Sequence, residues 1–147
     1  MRSVVTAAFL MVFSAAPAFA ADVEFRPVVD CATHPGAEHL AIYSPQAHCL
    51  APAVVTEKDF VRLERLRPGG GTFLRGKLTE AAHLRFYDFT LHHRFRPMAL
   101  LVDGRPTRVW EVGGPVQSNW LGITGGYLSD READQVADRY YAAGGRH

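Results

Sequence analysis

Ligand chemistry in this sequence is concentrated near its N-terminal end. Cys31, His34, His39, His48 and Cys49 bring two sulfurs and three imidazoles into one short stretch. Thiolates and neutral imidazoles hold zinc when four of them converge tetrahedrally. The spacing here matches no zinc motif, and the adjacent His48 and Cys49 would chelate one ion awkwardly. Covalent pairing is the other chemistry open to them. Cys31 and Cys49 are the only cysteines, and two cysteines of a small chain in an oxidising compartment are expected to join. Closing that loop would stabilise the fold by about 3 kcal/mol in the chain-entropy description. It would do so where Pro27, Pro35, Gly36 and Pro45 disfavour regular structure. The disulfide is the favoured reading. A periplasmic metal-binding protein using this Cys/His arm is the alternative, and neither a metal ligand nor a cofactor is assigned.

The remaining candidates for chemistry are weaker. His92 and His93 stand beside Arg94 and Arg96 at the end of an expected helix. Catalysis would require an orienting acid or a nucleophile next to them, whereas the dipole at a helix C-terminus and water account for them without it. Glu80 and Asp88 on the same helix are read as partners of solvated ion pairs. Ser44, Ser118 and Ser129 lie in no nucleophile-elbow context. The Gly69-Gly70-Gly71 run is followed by no Gly-Lys-Ser/Thr, so it is read as a turn and not as a phosphate cradle. No catalytic residue is assigned, and the chain is not read as an enzyme. Trp110 and Trp120 are the candidate partner-binding residues. An aromatic beside an exposed strand edge could help to add a client peptide as a further strand, although packing into the core is the commoner fate of tryptophan.

Length and composition bound the answer. The sequence has 147 residues, 48% hydrophobic and 21% charged, with formal net charge +1. That suits one small globular domain, is too balanced for an electrostatic nucleic-acid surface and is too apolar for a disordered chain. Residues 1–20 read as a signal peptide: Arg2, an apolar run over 4–13, then small residues ending Ala18-Phe19-Ala20. Ser14 and Pro17 break the run short of the ~20 residues a spanning helix needs. Cleavage after Ala20 is expected to leave a periplasmic or secreted chain with no membrane span, and removal of Arg2 leaves it without net charge.

These residues must be positioned by a small set of elements. Residues 21–55 read as a strand-rich arm, with strands over 23–29, 39–43 and 49–55. Thr56 and Asp59 fit a capping box, and Phe60, Leu63 and Leu66 give an apolar stripe, so a short helix is expected before Pro68. Residues 72–78 alternate, with Thr72, Leu74, Gly76 and Leu78 sharing one face of a strand. Thr79 caps a helix reaching about Arg94 that carries two apolar faces. Ala82, Phe86, Phe89 and His93 line one, while Leu84, Tyr87, Leu91 and Phe95 line the other. One face can pack on a sheet. The other calls for cover from the arm and first helix, or from a partner. Residues 98–102 suit a central strand, Asp103-Gly104 a type I′ hairpin turn, and 107–112 a return strand that Pro106 marks as an edge. A strand over 120–124 precedes a last helix, boxed by Ser129 and Glu132 and ended by Gly144. Three helices with antiparallel strands make an α+β sandwich, helices on one sheet face. The arm spans 21–55 and the α+β domain 56–147, with 40–55 open to either.

Certain residues carry a resemblance. Lys77-Leu78-Thr79 opens a helix, Phe89-Thr90 lies within it, and Met98 to Gly104 forms a strand with its turn. Ile123-Thr124-Gly125-Gly126-Tyr127-Leu128-Ser129 then leads to Glu132-Ala133, and Cys49 to Pro52 and Val55 to Asp59 stand upstream. In this order and spacing, residues 40–144 resemble the head subdomain of the first periplasmic domain of SecD, the membrane subunit that assists bacterial protein export. The resemblance implies a ferredoxin-like antiparallel sheet with helices on one face. It also implies a detached, non-enzymatic module that contacts a protein or unfolded polypeptide, with translocon components as candidate partners. The proton-driven motor of that family does not carry over, because its membrane helices have no counterpart here.

Overall fold

The computed structural model describes residues 22–40 and 48–145. In chain order the strands are β1 (Val23–Asp30), β2 (Glu38–His39), β3 (His48–Leu50), β4 (Val55–Thr56), β5 (Phe60–Leu66), β6 (Phe73–Leu78), β7 (Pro97–Val102), β8 (Arg105–Glu111) and β9 (Trp120–Gly122). The helices are α1 (Glu80–His92) and α2 (Asp130–Ala142). The class is α+β, as expected. The strands divide between two antiparallel sheets, one in the order β2-β3-β1-β7-β8 with β4 also on β1, the other β5-β6-β9.

The apolar run at 98–102 explains the larger sheet. All five residues of that run are buried, because β7 lies between β1 and β8 and both of its faces are covered. Met98, Leu100 and Val102 join Val23 and Phe25 in the main core, whereas Ala99 and Leu101 face Val28, Leu40 and Leu50 in a second cluster. Each fully buried Leu or Met side chain stabilises by roughly 2 kcal/mol. The hairpin turn forms as the sequence indicates, with φ of 51° at Asp103 and 74° at Gly104. β8 is an edge strand, in keeping with Pro106. The arm is part of this sheet, since β1 pairs with β7 from Val23↔Val102 to Pro27↔Met98. Of the expected strand over 39–43, only His39 pairs with β3, alongside Glu38 before it, and residues 41–43 lie outside the described residues.

Residues 56–66 depart from expectation. The Thr56–Asp59 capping box is present, and the Asp59 carboxylate accepts from the Thr56 N–H at 2.9 Å. It opens only a single 3-10 turn, Glu57–Asp59, after which the chain continues as β5. The three-residue spacing of Phe60 and Leu63 imitates a helix but comes from a β-bulge between Phe60 and Arg62. One inserted residue lets both side chains face inward. Gly76 on β6 is what admits Phe60: a Cβ there would stand 2.3 Å from Phe60 Cδ1.

The two helices close one shared core. Ala82 and Phe86 of α1 and Ala133, Val136 and Ala137 of α2 meet Leu63, Leu74, Leu121 and Ile123 of the smaller sheet and Phe25 and Leu100 of the larger. Ser129 and Glu132 form the expected capping box of α2. Arg65 pairs with Asp134 and Asp138, and Arg139 with Asp103, so α2 is tied to both β5 and the β7–β8 hairpin. The Thr90 hydroxyl donates to the Phe86 carbonyl and accepts from the Val116 N–H at 2.9 Å, strapping the segment after β8 across α1. Among the described residues, the expected intramolecular cover of the second α1 face is incomplete, reaching the half-buried Tyr87 but not its neighbours on that face. Leu84 and Leu91 are 61% and 42% exposed. No described helix is long and apolar enough to cross a membrane.

Candidate functional site

Cys31 sits in the 3-10 turn that follows β1, and Cys49 in the middle of β3. Because β3 pairs with the end of β1, Val29↔Cys49, the chain returns to within reach of the turn, and the two sulfurs are joined with a Cα–Cα distance of 5.0 Å. His39 pairs across from Cys49, and its Nδ1 lies 3.7 Å from Cys31 Sγ. These three residues bring ligand-type atoms within 4.8 Å of one another. The favoured disulfide is therefore the chemistry present. Both sulfurs are consumed in it and neither is a thiolate that a metal could use, which disfavours the metal-binding alternative. His34 lies apart from this cluster, its Nδ1 2.9 Å from the Thr33 hydroxyl.

The staple holds one wall of a cleft of about 730 Å³. Val28, Asp30, His34 and His48 form that wall, and Phe89, His93 and Arg96 face it from the end of α1. His93 stacks flat on Phe89, with centroids 4.0 Å apart and planes at 9°. Its Nδ1 lies 2.7 Å from the Phe89 carbonyl oxygen. A carbonyl can only accept, so Nδ1 carries the proton and Nε2 is the ring's acceptor when neutral. A second hollow of about 340 Å³ shares Val28, His48 and Pro97 with the cleft and continues past Val109, Trp110 and Glu111. Together they run from the disulfide-stapled turn to the free edge of β8.

That edge is partly closed. Val112 donates to the Arg96 carbonyl at 2.9 Å, and the ladder Pro97↔Glu111, Met98↔Trp110, Ala99↔Val109 follows in register. Antiparallel ladders alternate, so the Trp110 backbone groups point at β7 and those of Val109 and Glu111 point away from the sheet. Beyond the bulge between Leu100 and Leu101, the Thr107 carbonyl also points outward and accepts from the Tyr127 N–H at 2.7 Å. Gly126 makes this closure feasible, since a Cβ there would stand 2.2 Å from the Thr107 oxygen. Among the described residues, Val109 and Glu111 have no such backbone partner, and the edge is open from Val109 to Glu111.

Trp110 stands in the middle of this open stretch. Its ring packs edge-on against Phe25, 5.9 Å between centroids, with the Arg108 guanidinium 5.2 Å from its centre. It is half-buried, so the core takes one side of the indole and the surface keeps the other. Trp120 belongs to β9 of the smaller sheet, where Arg75 lies 4.6 Å over its ring. The two tryptophans thus sit on different sheets and do not form one site. Sequence reasoning missed the outward-facing backbone of Val109 and Glu111 and the opposition of His93 to His34 and His48. The first could have been read from the edge signal of Pro106 with strict alternation; the second depends on how α1 packs.

No protein-family model matches this sequence, and no curated protein matches it. Solved structures do. A structure of SecDF, a membrane component that enhances protein export, superposes with a TM-score of 0.63 at 18% identity, covering 87% of this chain and 64% of its own. A structure of SecDF in the super-membrane-facing form gives 0.62 at 18% identity, covering 87% of this chain and 19% of its own. This chain therefore spans under two thirds of the first and about a fifth of the second. Its fold is that of a SecD-like domain.

Proposed function

We propose that this chain is a non-enzymatic polypeptide-interaction module that works outside the cytoplasm in protein export or envelope assembly. It takes an extended polypeptide segment as an added strand along the open end of β8. The observation that carries this reading is the pair of outward-facing backbone units at Val109 and Glu111, beside the half-exposed ring of Trp110 and the hollow that continues to His48. Main-chain hydrogen bonds to such an edge give affinity that tolerates sequence, as a client-binding protein requires. The fold shared with SecDF, which enhances protein export, supports the same process. The Cys31–Cys49 disulfide suits an oxidising compartment. Residues 1–20, read as a leader cleaved after Ala20, lie outside the described residues.

The test uses a reduced, carboxymethylated unfolded polypeptide as probe and the Trp120→Phe variant, so that fluorescence reports Trp110 alone. Saturating polypeptide should protect Trp110 from acrylamide, and Val109→Pro should abolish the protection. Proline removes a donor that points away from β7, so the ladder itself survives. Probe peptides N-methylated at alternate residues should bind weakly to the unaltered protein. Unchanged quenching at saturation, or full binding by both Val109→Pro and the N-methylated probes, overturns the reading.

A further inference from the structure

The second face of α1 ends in a tip, residues 92–96, that the proposed function does not use. Leu84, Tyr87 and Leu91 fall on one stripe of the helix, and Phe95 extends it beyond the last turn. Phe95 is 64% exposed and has φ of 61°. An aromatic residue in the left-handed region is an outlier, and such strain persists only where the surroundings enforce it. They do so here: Phe95 N–H donates to the Val112 carbonyl at 2.7 Å, Val112 N–H to the Arg96 carbonyl at 2.9 Å, and Arg96 N–H to the His93 carbonyl at 3.2 Å. The fold thus holds a strained phenyl ring out in solvent, where glycine would satisfy the backbone without strain. The ring gains nothing from the core that would account for its presence.

Two arginines adjoin the ring in the chain. Arg94 and Arg96 are both exposed, and among the described residues neither forms an ion pair. The Arg94 guanidinium lies 5.2 Å from the centre of the Phe95 ring. His92 and His93 flank them, also exposed. Acidic groups stand nearby as well, with Asp30 lining the cleft that His93 and Arg96 face. Asp88 lies one turn behind, 3.5 Å from His92 Nδ1, Glu80 begins the helix, and Glu111 is across the ladder from Pro97. Leu91, Arg94, Phe95 and Arg96 are all exposed along this stretch. A protruding aromatic between arginines fits a bilayer interface, where the ring enters the headgroup boundary and each guanidinium meets lipid phosphate.

We propose that the tip formed by His92, His93, Arg94, Phe95 and Arg96, backed by Leu91, is a docking site for an anionic phospholipid surface. The processed protein, purified from its own envelope, is mixed with vesicles of phosphatidylglycerol and phosphatidylethanolamine, or of phosphatidylcholine alone, and sedimented. Binding should favour the anionic vesicles and weaken with salt. Phe95→Gly relieves the strained φ and should still fold, yet it should lower partitioning roughly tenfold. Arg94→Ser and Arg96→Ser should each lower it about fivefold. No preference for anionic vesicles at low salt, or undiminished binding by Phe95→Gly, overturns the proposal. So does finding that the unaltered protein dimerises, that Phe95→Gly abolishes the dimer, and that vesicle binding does not change, which would make the tip an interface between two copies of this chain. Val109→Pro is expected to leave vesicle binding intact, so failure of the strand-addition reading and failure of this one are distinguishable.

Discussion

Replacing Gly76 with alanine tests the architecture of the smaller sheet at one contact. The new Cβ would lie 2.3 Å from Phe60 Cδ1 and 2.5 Å from Cε1, so the ring must retreat by roughly an ångström to reach ordinary contact. It has little room, because Phe60 is buried in the main core with Phe25 at 6.5 Å. Overpacking of this kind costs about 1–3 kcal/mol, offset by the ~0.5–1 kcal/mol that alanine gains over glycine in a strand. A net loss of about 1–2 kcal/mol is expected, read as a lower urea midpoint with an unchanged slope. Phe60→Leu should relieve the clash, so that the double variant is more stable than the sum of the single losses by about 1 kcal/mol. Strict additivity, or an alanine variant as stable as the parent, would mean that Phe60 does not cover Gly76. The strand and bulge at 60–66 would then be wrong, and a helix there would regain its case.

Two further outcomes follow from the covalent and capping chemistry. Reduction, or Cys31→Ser with Cys49→Ser, should cost about 3 kcal/mol for a closed loop of 18 residues, measured as a drop in thermal midpoint with reductant present. Glu132 is held below the usual carboxylate range by the Ser129 hydroxyl, and further by the Ser129 N–H and Arg105. A depressed folded pKa contributes stability that is complete above the unfolded value and is lost as pH falls through the folded value. The thermal midpoint of Ser129→Ala should accordingly fall less steeply on acidification than that of the parent, and identical acid slopes would remove the capping box as the cause.

Much of the fold was legible because its signals are local. The Asp103-Gly104 turn, the alternation expected over 72–78 and found as Phe73–Leu78, the apolar run at 98–102 and the Ser129–Glu132 box each depend on neighbours in sequence. The β5 segment differs from expectation because a bulge changes the side-chain period from two to three for one step, which imitates the spacing of a helix. Partition of the strands into two sheets was equally hidden, since pairing of β6 with β9 across the whole of α1 and the β7–β8 hairpin leaves no local mark. Of the candidate site, the disulfide was legible, while the cleft beside it is made by the end of α1 meeting the end of β1.

The sequence by itself pointed to the bonds and turns that depend on near neighbours. Two lone cysteines pair, an Asp-Gly step reverses a chain, and a serine three residues before a glutamate starts a helix. Tertiary structure decided what each residue faces. It left Val109 and Glu111 with open backbone, turned one side of Trp110 into the core and stacked Arg75 over Trp120, and it held Phe95 out in solvent at a left-handed φ. The physical reason is range. Covalent and dihedral preferences act over a few residues of chain, whereas exposure is fixed by whichever distant element arrives to cover a face, and on the second face of α1 Leu84 and Leu91 stay exposed.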